Sequence, residues 1–276
     1  MQIQQALALH KQLSLISDSA LLDVELMLCH LLDKPRSYLF TWPEKEINES
    51  DEKRLKAFVQ RRINGEPVAH ILGSRGFWDF DLEVSSTTLI PRPDTEVLVE
   101  KALELCELRE ARVADLGTGT GAIALALAWE RPHWHVVGSD FVQQAAALAE
   151  RNRKKLKLDN VEIKTGSWFE PHSGKYDLIV SNPPYIDPAD PHLLEGDVRF
   201  EPLSALTADN QGMADIETIS TDARDYLSVG GVLILEHGFD QGASCRALLA
   251  SLGYEAIETA CDYGNNERVT HACWPG

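Results

Sequence analysis

The chain is short of basic residues, of close cysteine pairs and of long apolar runs. Its 26 Lys and Arg stand against 43 Asp and Glu, a formal net charge of −17. Binding nucleic acid means displacing counterions from phosphates with positive charge, so DNA as the main substrate is disfavoured, and a basic protein partner fits the charge better. The five cysteines (Cys29, Cys106, Cys245, Cys261 and Cys273) are odd in number and widely spaced. That pattern lacks both zinc and redox spacing and reads as reduced, structural thiols. His133 and His135 could share one strand face, but no third ligand follows at metal spacing, so no metal site is expected. The longest apolar stretches, such as Ala122 to Trp129, are far too short to span a membrane, and Asp18, Asp23 and Glu25 stand where a signal peptide would be apolar. A soluble cytoplasmic protein is expected.

What is present is enough for a sizeable core: 276 residues, 44% of them hydrophobic, divide naturally into one large domain and one small one. Residues 1–73 read as a helical bundle. Leu7, Leu9, Leu13 and Ile16, and then Leu21 to Leu32, recur at roughly helical spacing, with Asp18 or Ser19 as a cap. Asn48 opens a further helix that Gly65 and Pro67 close. Residues 74–89 read as a linker hairpin, in which Phe77, Asp79 and Asp81 alternate with Trp78, Phe80 and Leu82. From residue 90 to 276, a helix entered through Pro91, Pro93 and Asp94 or Thr95 precedes seven strand candidates. These are 112–116, 135–139, 161–164, 176–180, 232–236, 254–258 and 269–273. Helical stretches near 122–130, 142–156, 212–227 and 240–252 separate them, which predicts an α/β fold with a doubly wound, mainly parallel, seven-stranded Rossmann-like sheet.

Two motifs carry chemistry. Asp115-Leu-Gly-Thr-Gly-Thr-Gly121 follows the first strand of that sheet and opens a helix, where backbone without Cβ atoms can approach a nucleotide-like ligand. The turn also satisfies a dinucleotide fingerprint, so alone it does not separate nicotinamide from S-adenosylmethionine. Asp140 ends the second strand, where an acid can accept from both ribose hydroxyls. Asp115 would place negative charge near a methionine ammonium and sulfonium but would repel a pyrophosphate, which tilts the reading to S-adenosylmethionine. Either aspartate can also serve as a cap or an ion-pair partner.

The second motif is Asn182-Pro-Pro-Tyr185, after the apolar run Tyr176 to Val180, at the carboxyl end of a strand where open sheets bind ligands. Pro183 and Pro184 stiffen the backbone and remove two N–H donors. A planar NH2 group presents two donors, which the Asn182 side-chain oxygen and the Pro183 carbonyl can accept while Tyr185 packs against its plane. Together the two motifs point to methyl transfer to nitrogen.

With Ile90-Pro-Arg-Pro-Asp-Thr-Glu96, Phe200-Glu-Pro-Leu-Ser-Ala-Leu206 and Asp262-Tyr-Gly-Asn-Asn-Glu-Arg268 added, the chain closely resembles the bacterial release factor glutamine methyltransferase (PrmC/HemK) family over nearly its whole length. The resemblance implies N5-methylation of the glutamine in the Gly-Gly-Gln loop of class I peptide chain release factors. It also implies S-adenosylmethionine bound by Gly117, Thr118, Gly119, Thr120, Gly121, Asp140 and Trp168. Asn182, Pro183, Pro184 and Tyr185 would hold the glutamine, with Asn182 also near the methyl donor and the helical bundle docking the release factor. In several relatives an acidic residue precedes the tryptophan; here Ser167 does, a neutral acceptor. Arg92, Glu201 and Arg268 are read as structural, Arg268 pairing with Glu267 or Asp262. The alternative enzyme is an adenine-N6 methyltransferase of nucleic acid, for which Arg151, Arg153, Lys154, Lys155 and Lys157 are the best basic cluster, read here as a solvated helix face. A binding protein with an inactive cofactor fold is the alternative of another class, disfavoured by the intact Asp140 and Asn182. A monomer is expected.

Overall fold

The computed structural model describes all 276 residues, and the chain divides into two compact units: Met1–Ser74 with Leu194–Phe200, and Arg75–Leu193 with Glu201–Gly276. In the first, α1 (Ile3–Leu7) runs into a 3-10 turn, followed by α2 (Ala20–Leu32), α3 (Arg36–Thr41), α4 (Glu49–Ile63) and α5 (Val68–Leu72). Ile3, Leu13, Val24, Met27, Leu28, Leu39, Leu55 and Val59 meet in its core. Asn48 caps α4 by accepting from the Asp51 N–H. Ser19 precedes α2 but caps nothing, because its hydroxyl donates to Asp23 instead.

Asp23 and Arg62 are buried together and joined at 2.9 Å, and the Ser17 and Ser19 hydroxyls donate to the same carboxylate at 2.7 and 2.8 Å. Arg62 also reaches Asp197 at 2.6 Å. Leu194–Phe200, which the sequence places inside the second domain, therefore packs with the first, and nothing local in those seven residues announces an ion pair to Arg62. Asp23→Ala strips a buried cation of its buried partner, and a loss of about 3 kcal/mol is expected, read as a lower denaturation midpoint of the full chain. An unchanged midpoint would mean that Asp197 alone holds Arg62.

The second unit opens within the hairpin of β1 (Ser74–Phe77) and β2 (Phe80–Glu83), of which Ser74 belongs to the first unit. From Trp78 to Leu82 the expected alternation holds, with Trp78, Phe80 and Leu82 on the core and Asp79 and Asp81 exposed; Phe77 departs from it, buried just before Trp78 turns the chain with φ 55°. After α6 (Glu96–Leu105) come β3 (Arg112–Leu116), α7 (Ala122–Glu130), β4 (His135–Asp140), α8 (Gln143–Leu156), β5 (Val161–Thr165) and β6 (Tyr176–Ser181). The rest is a short turn α9 (Asp209–Gly212), α10 (Ala214–Asp222), β7 (Leu227–Glu236), α11 (Gly242–Ser251), β8 (Glu255–Cys261) and β9 (Glu267–Cys273).

The seven strands stand in the order β5-β4-β3-β6-β7-β9-β8, parallel except that β9 runs antiparallel to both β7 and β8. Alternate residues face opposite layers. Val113, Val136, Leu178 and Ile234 pack with α6 and α7, while Ala114, Val137, Ile179 and Leu233 pack with α10 and α11. Where one helix was expected over 212–227, Asn210, Gln211 and Gly212 all take positive φ and hold α9 apart from α10, and β7 begins earlier than expected, at Leu227. The order reverses between β3 and β6, so a crevice opens at their carboxyl ends.

Candidate active site

That crevice holds a cavity of about 400 Å³, within the range of small-molecule sites. Its wall includes Gly117, Thr118, Gly119, Thr120, Asp140, Phe141, Ser167, Trp168, Asn182 and Pro184, with Thr88, Thr95, Thr207 and Asp215. Gly121, Pro183 and Tyr185 do not line it but adjoin residues that do. Gly121 takes φ 86° at the start of α7, and a Cβ there would lie 2.9 Å from Leu125 Cδ1 and 3.3 Å from Ala149 Cβ, so its role in this geometry is the approach of helices to the turn.

The glycine turn is tied down from two sides. The Thr118 N–H donates to the Ser139 carbonyl at 2.8 Å, and the Gly119 N–H donates to Asp140 Oδ2 at 3.0 Å. Asp140 Oδ1 accepts from the Val142 N–H at 2.9 Å. Burial pushes the Asp140 carboxyl up, and these two bonds offset part of the rise. The Trp168 ring lies against the turn, 3.4 Å from where a Gly117 Cβ would stand. Its backbone is held at φ 41° while its carbonyl accepts from the Ser139 hydroxyl at 3.3 Å. Behind Ser139, His172 Nε2 lies 2.8 Å from Ser139 Oγ, and its Nδ1 lies 2.8 Å from Tyr176 Oη. Burial lowers the His172 pKa to about 4, so the ring is neutral. Ser167 is at the cavity wall, and its N–H donates to the Glu170 carboxylate at 3.0 Å, which brings an acid three residues on into the same turn.

Asp115 is not where the electrostatic argument from sequence put it. It is fully buried behind the turn, accepting from Thr118 Oγ1 at 2.6 Å and from the Ala124 N–H at 3.1 Å, and it serves the first turn of α7. Burial raises its pKa to about 7; Thr118 and Ala124 oppose the rise and Asp140 adds to it. A carboxyl whose folded pKa lies above its unfolded value contributes stability that is complete at low pH and is lost as pH rises from about 4 to about 7. Asp115→Asn removes this titration. The thermal midpoint of that variant is expected to fall less than that of the native chain over this interval; equal falls would remove Asp115 from the account.

At the end of β6, Asn182 Nδ2 donates to Thr95 Oγ1 at 3.2 Å, and Tyr185 Oη donates to Glu236 Oε1 at 3.3 Å. Thr95 caps α6 by position only, because its hydroxyl is used here. Glu236 is buried and its pKa is pushed up to about 7 by desolvation, against Thr95, Arg268 and Tyr185. Burial, together with the Glu236 carboxyl, pushes the Tyr185 hydroxyl up. Arg92 pairs with the buried Glu201 at 2.7 Å, and Arg268 pairs with Asp262 at 3.2 Å, whereas Glu267 goes to Arg246. Thr95 and Glu236 were missed as site residues in the sequence. The signal for Glu236 was a carboxylate at the carboxyl end of a predicted strand; Thr95 had none beyond its proline-rich motif. No group of three or more His, Cys, Asp or Glu side chains comes together to hold a metal ion, and no helix is long and apolar enough to cross a membrane.

The mixed seven-stranded sheet, with its cavity at the reversal of strand order, defines a Rossmann-like methyltransferase domain. Residues 93–194 match the methyltransferase small domain family, and residues 3–73 match the PrmC N-terminal domain. The fold is shared with a methyltransferase from Pyrococcus furiosus (TM-score 0.55, 17% identity, 79% of this chain and 97% of that one). It is shared also with the T. thermophilus 16S rRNA N2 G1207 methyltransferase solved with AdoMet and guanosine (TM-score 0.52, 20% identity, 72% and 49%).

The chain belongs to the release factor glutamine methyltransferase family. It is 54% identical to the release factor glutamine methyltransferase of Shewanella oneidensis over 96% of this chain and 93% of that one. The Pseudomonas aeruginosa protein of that name is also 54% identical, over 94% of each chain, and the Escherichia coli one is 48% identical over 92% of each.

Proposed function

We propose that this protein transfers the methyl group of S-adenosylmethionine to N5 of the glutamine in the Gly-Gly-Gln loop of class I peptide chain release factors. The observation that carries the reading is that Asn182 and Pro184 share one cavity with the glycine turn, Asp140 and Trp168. The cavity suits the cofactor in three respects: the Gly117 backbone leaves room beside the Trp168 ring, Asp140 supplies a carboxylate at the end of β4, and Asp215 adds a second carboxylate to the wall. Gly117 to Gly121, Asp140 and Trp168 are the residues assigned to hold it, with Trp168 beside the adenine. When bound, the cofactor supplies an electrophilic methyl group on a sulfonium.

The chain's own task is to make an amide nitrogen attack. Its lone pair is delocalised into the carbonyl, so the geometry must favour a nitrogen nearer to tetrahedral. With Asn182 tied through Nδ2 to Thr95, its Oδ1 is left to accept one substrate N–H. The Pro183 carbonyl accepts no hydrogen bond from within the chain and takes the other. Tyr185, anchored on Glu236, backs the turn. Fixing both N–H groups aims the nitrogen and stabilises the charge that develops on it. The methylated amide is acidic and releases its proton to water or to these acceptor oxygens, so no strong base is required.

In this reading the enzyme works in the cytoplasm as a monomer, the helical bundle docks the release factor, and protein rather than nucleic acid is the substrate. The basic residues of α8 support the last point, since Arg151 pairs with Glu83, Arg153 and Lys154 pair with Glu150, and Lys155 bonds the Asp81 carbonyl. The test is transfer of a labelled methyl group to an unmodified release factor, beside a Gln→Ala version of its loop and an adenine-containing DNA. Label on the intact loop alone supports the assignment. Label on DNA would promote an adenine methyltransferase, and no label on any of them would overturn both.

A further inference from the structure

Glu236 is a buried carboxyl with no role in the reading above beyond its bond to Tyr185. It ends β7 beside the end of β6, since Ser181 pairs with Leu235 in parallel register, so Glu236 lies level with Asn182. One of its oxygens accepts from Tyr185 Oη; the other is buried without a hydrogen-bond partner. The Thr95 hydroxyl acts on the same carboxyl, and Thr95 is itself buried. Thr95 has a single hydroxyl proton. While its oxygen accepts from Asn182 Nδ2, that proton is free to donate, and the unsatisfied oxygen of Glu236 is the acceptor that needs it.

The direction of this chain decides how Asn182 faces the cavity. If the amide were reversed, Oδ1 would face Thr95 and claim its proton, Glu236 would lose a donor, and Nδ2 would point at the substrate's own N–H groups. Donor would then meet donor. We propose that Thr95 and Glu236 are positioning residues for methyl transfer: Glu236 takes the hydroxyl protons of Tyr185 and Thr95, Thr95 holds Asn182 by its nitrogen, and Asn182 thereby presents oxygen to the incoming NH2 group. The inference rests on the glutamine-methylating reading and assigns that site two residues beyond the Asn182–Tyr185 turn.

The charged and titratable groups facing Glu236 are Tyr185, Arg268 and Asp94. Arg268 favours the ionised carboxylate, the form able to accept from two donors, while burial disfavours it. Loss of that form on acidification would release Thr95 and leave the Asn182 amide free to turn.

The experiment measures methyl transfer to unmodified release factor by the full chain across a pH series, with S-adenosylhomocysteine binding measured separately by calorimetry. Native activity on the release factor is the control that isolates the inference, because its failure would sink the functional reading itself. Thr95→Val, which keeps shape but removes the hydroxyl, is expected to lower kcat about tenfold or more with cofactor affinity unchanged, and Thr95→Ser is expected to restore most of the rate. Glu236→Gln is expected to lose the acidic limb of the native kcat profile. Should Thr95→Val fold poorly, the serine and glutamine variants carry the test. A valine variant within twofold of the native kcat, a folded serine variant no better than valine, or an unchanged acidic limb in Glu236→Gln would each overturn the proposal.

Discussion

Asn182→Ala is expected to lower methyl transfer to the release factor about 10²- to 10³-fold, the scale seen when one hydrogen-bonding group is removed from a transition-state site. The alanine takes away the only side-chain oxygen that the proposed clamp offers to the substrate amide. The Pro183 carbonyl remains, so one N–H is still held, but the nitrogen is free to rotate towards the planar ground state. Cofactor affinity should change much less, because the glycine turn, Asp140 and the Trp168 ring keep their own supports at Ser139, Val142 and His172. Single-turnover label transfer beside S-adenosylhomocysteine binding separates the two quantities. A near-native single-turnover rate would mean that the amide is oriented by something other than Asn182.

The second large effect is expected at a residue that touches no ligand. Gly212 takes φ 81°, and a Cβ built on it would stand 2.0 Å from the Tyr185 carbonyl oxygen and 2.8 Å from Gln241 Nε2. That carbonyl is already pinned by Gln241 at 3.0 Å, so it cannot yield without moving the turn that carries Asn182. Gly212→Ala is therefore expected to cost about 1 kcal/mol through its backbone conformation and, through a displacement of the turn approaching 1 Å, about a hundredfold in rate. Gly253→Ala is the matched control: its φ is 88°, yet nothing lies within 4 Å of the added Cβ. It should show the stability cost with the rate retained. Equal rates in the two variants would remove the contact with Tyr185 from the explanation.

The two substitutions bear on different depths of legibility. Asn182 stood out in the sequence because a strand followed by Asn-Pro-Pro is a local pattern, with two prolines that only a deliberate turn tolerates. Gly212 gave no such sign. Its φ follows from the need to bring α9 and α10 past the Tyr185 carbonyl, a contact formed between elements distant along the chain. The same distinction separates Asp140 from Asp115. Both lie beside the glycine turn, but Asp140 ends a strand and lines the cavity, whereas Asp115 does not line it and gives one oxygen to Thr118 and the start of α7. Charge alone does not distinguish a carboxylate at a wall from one away from it.

The inner strands β3, β4 and β6 were readable as short apolar runs because they are buried on both faces, whereas the edge strands β5 and β8 leave much of their length exposed; the helices between were readable through their spacing and caps. Boundaries slipped where the backbone departs from both patterns, at the positive-φ run Asn210 to Gly212 and at the early start of β7. The hairpin alternation held except at Phe77, which is buried just before the positive-φ turn at Trp78.

By itself, then, the sequence determined the α/β class, the glycine turn, the Asn182–Tyr185 turn and the family, all of which are written in contiguous residues whose propensities and spacing act locally. Only the tertiary structure decided that Thr95 meets Asn182 from 87 residues away, that Tyr185 rests on Glu236 from 51 residues away, and that Leu194–Phe200 pairs with the bundle through Arg62. The physical reason is that a hydrogen bond or a buried charge takes its energy from where water has been excluded, and that is settled by how the layers pack rather than by any one segment.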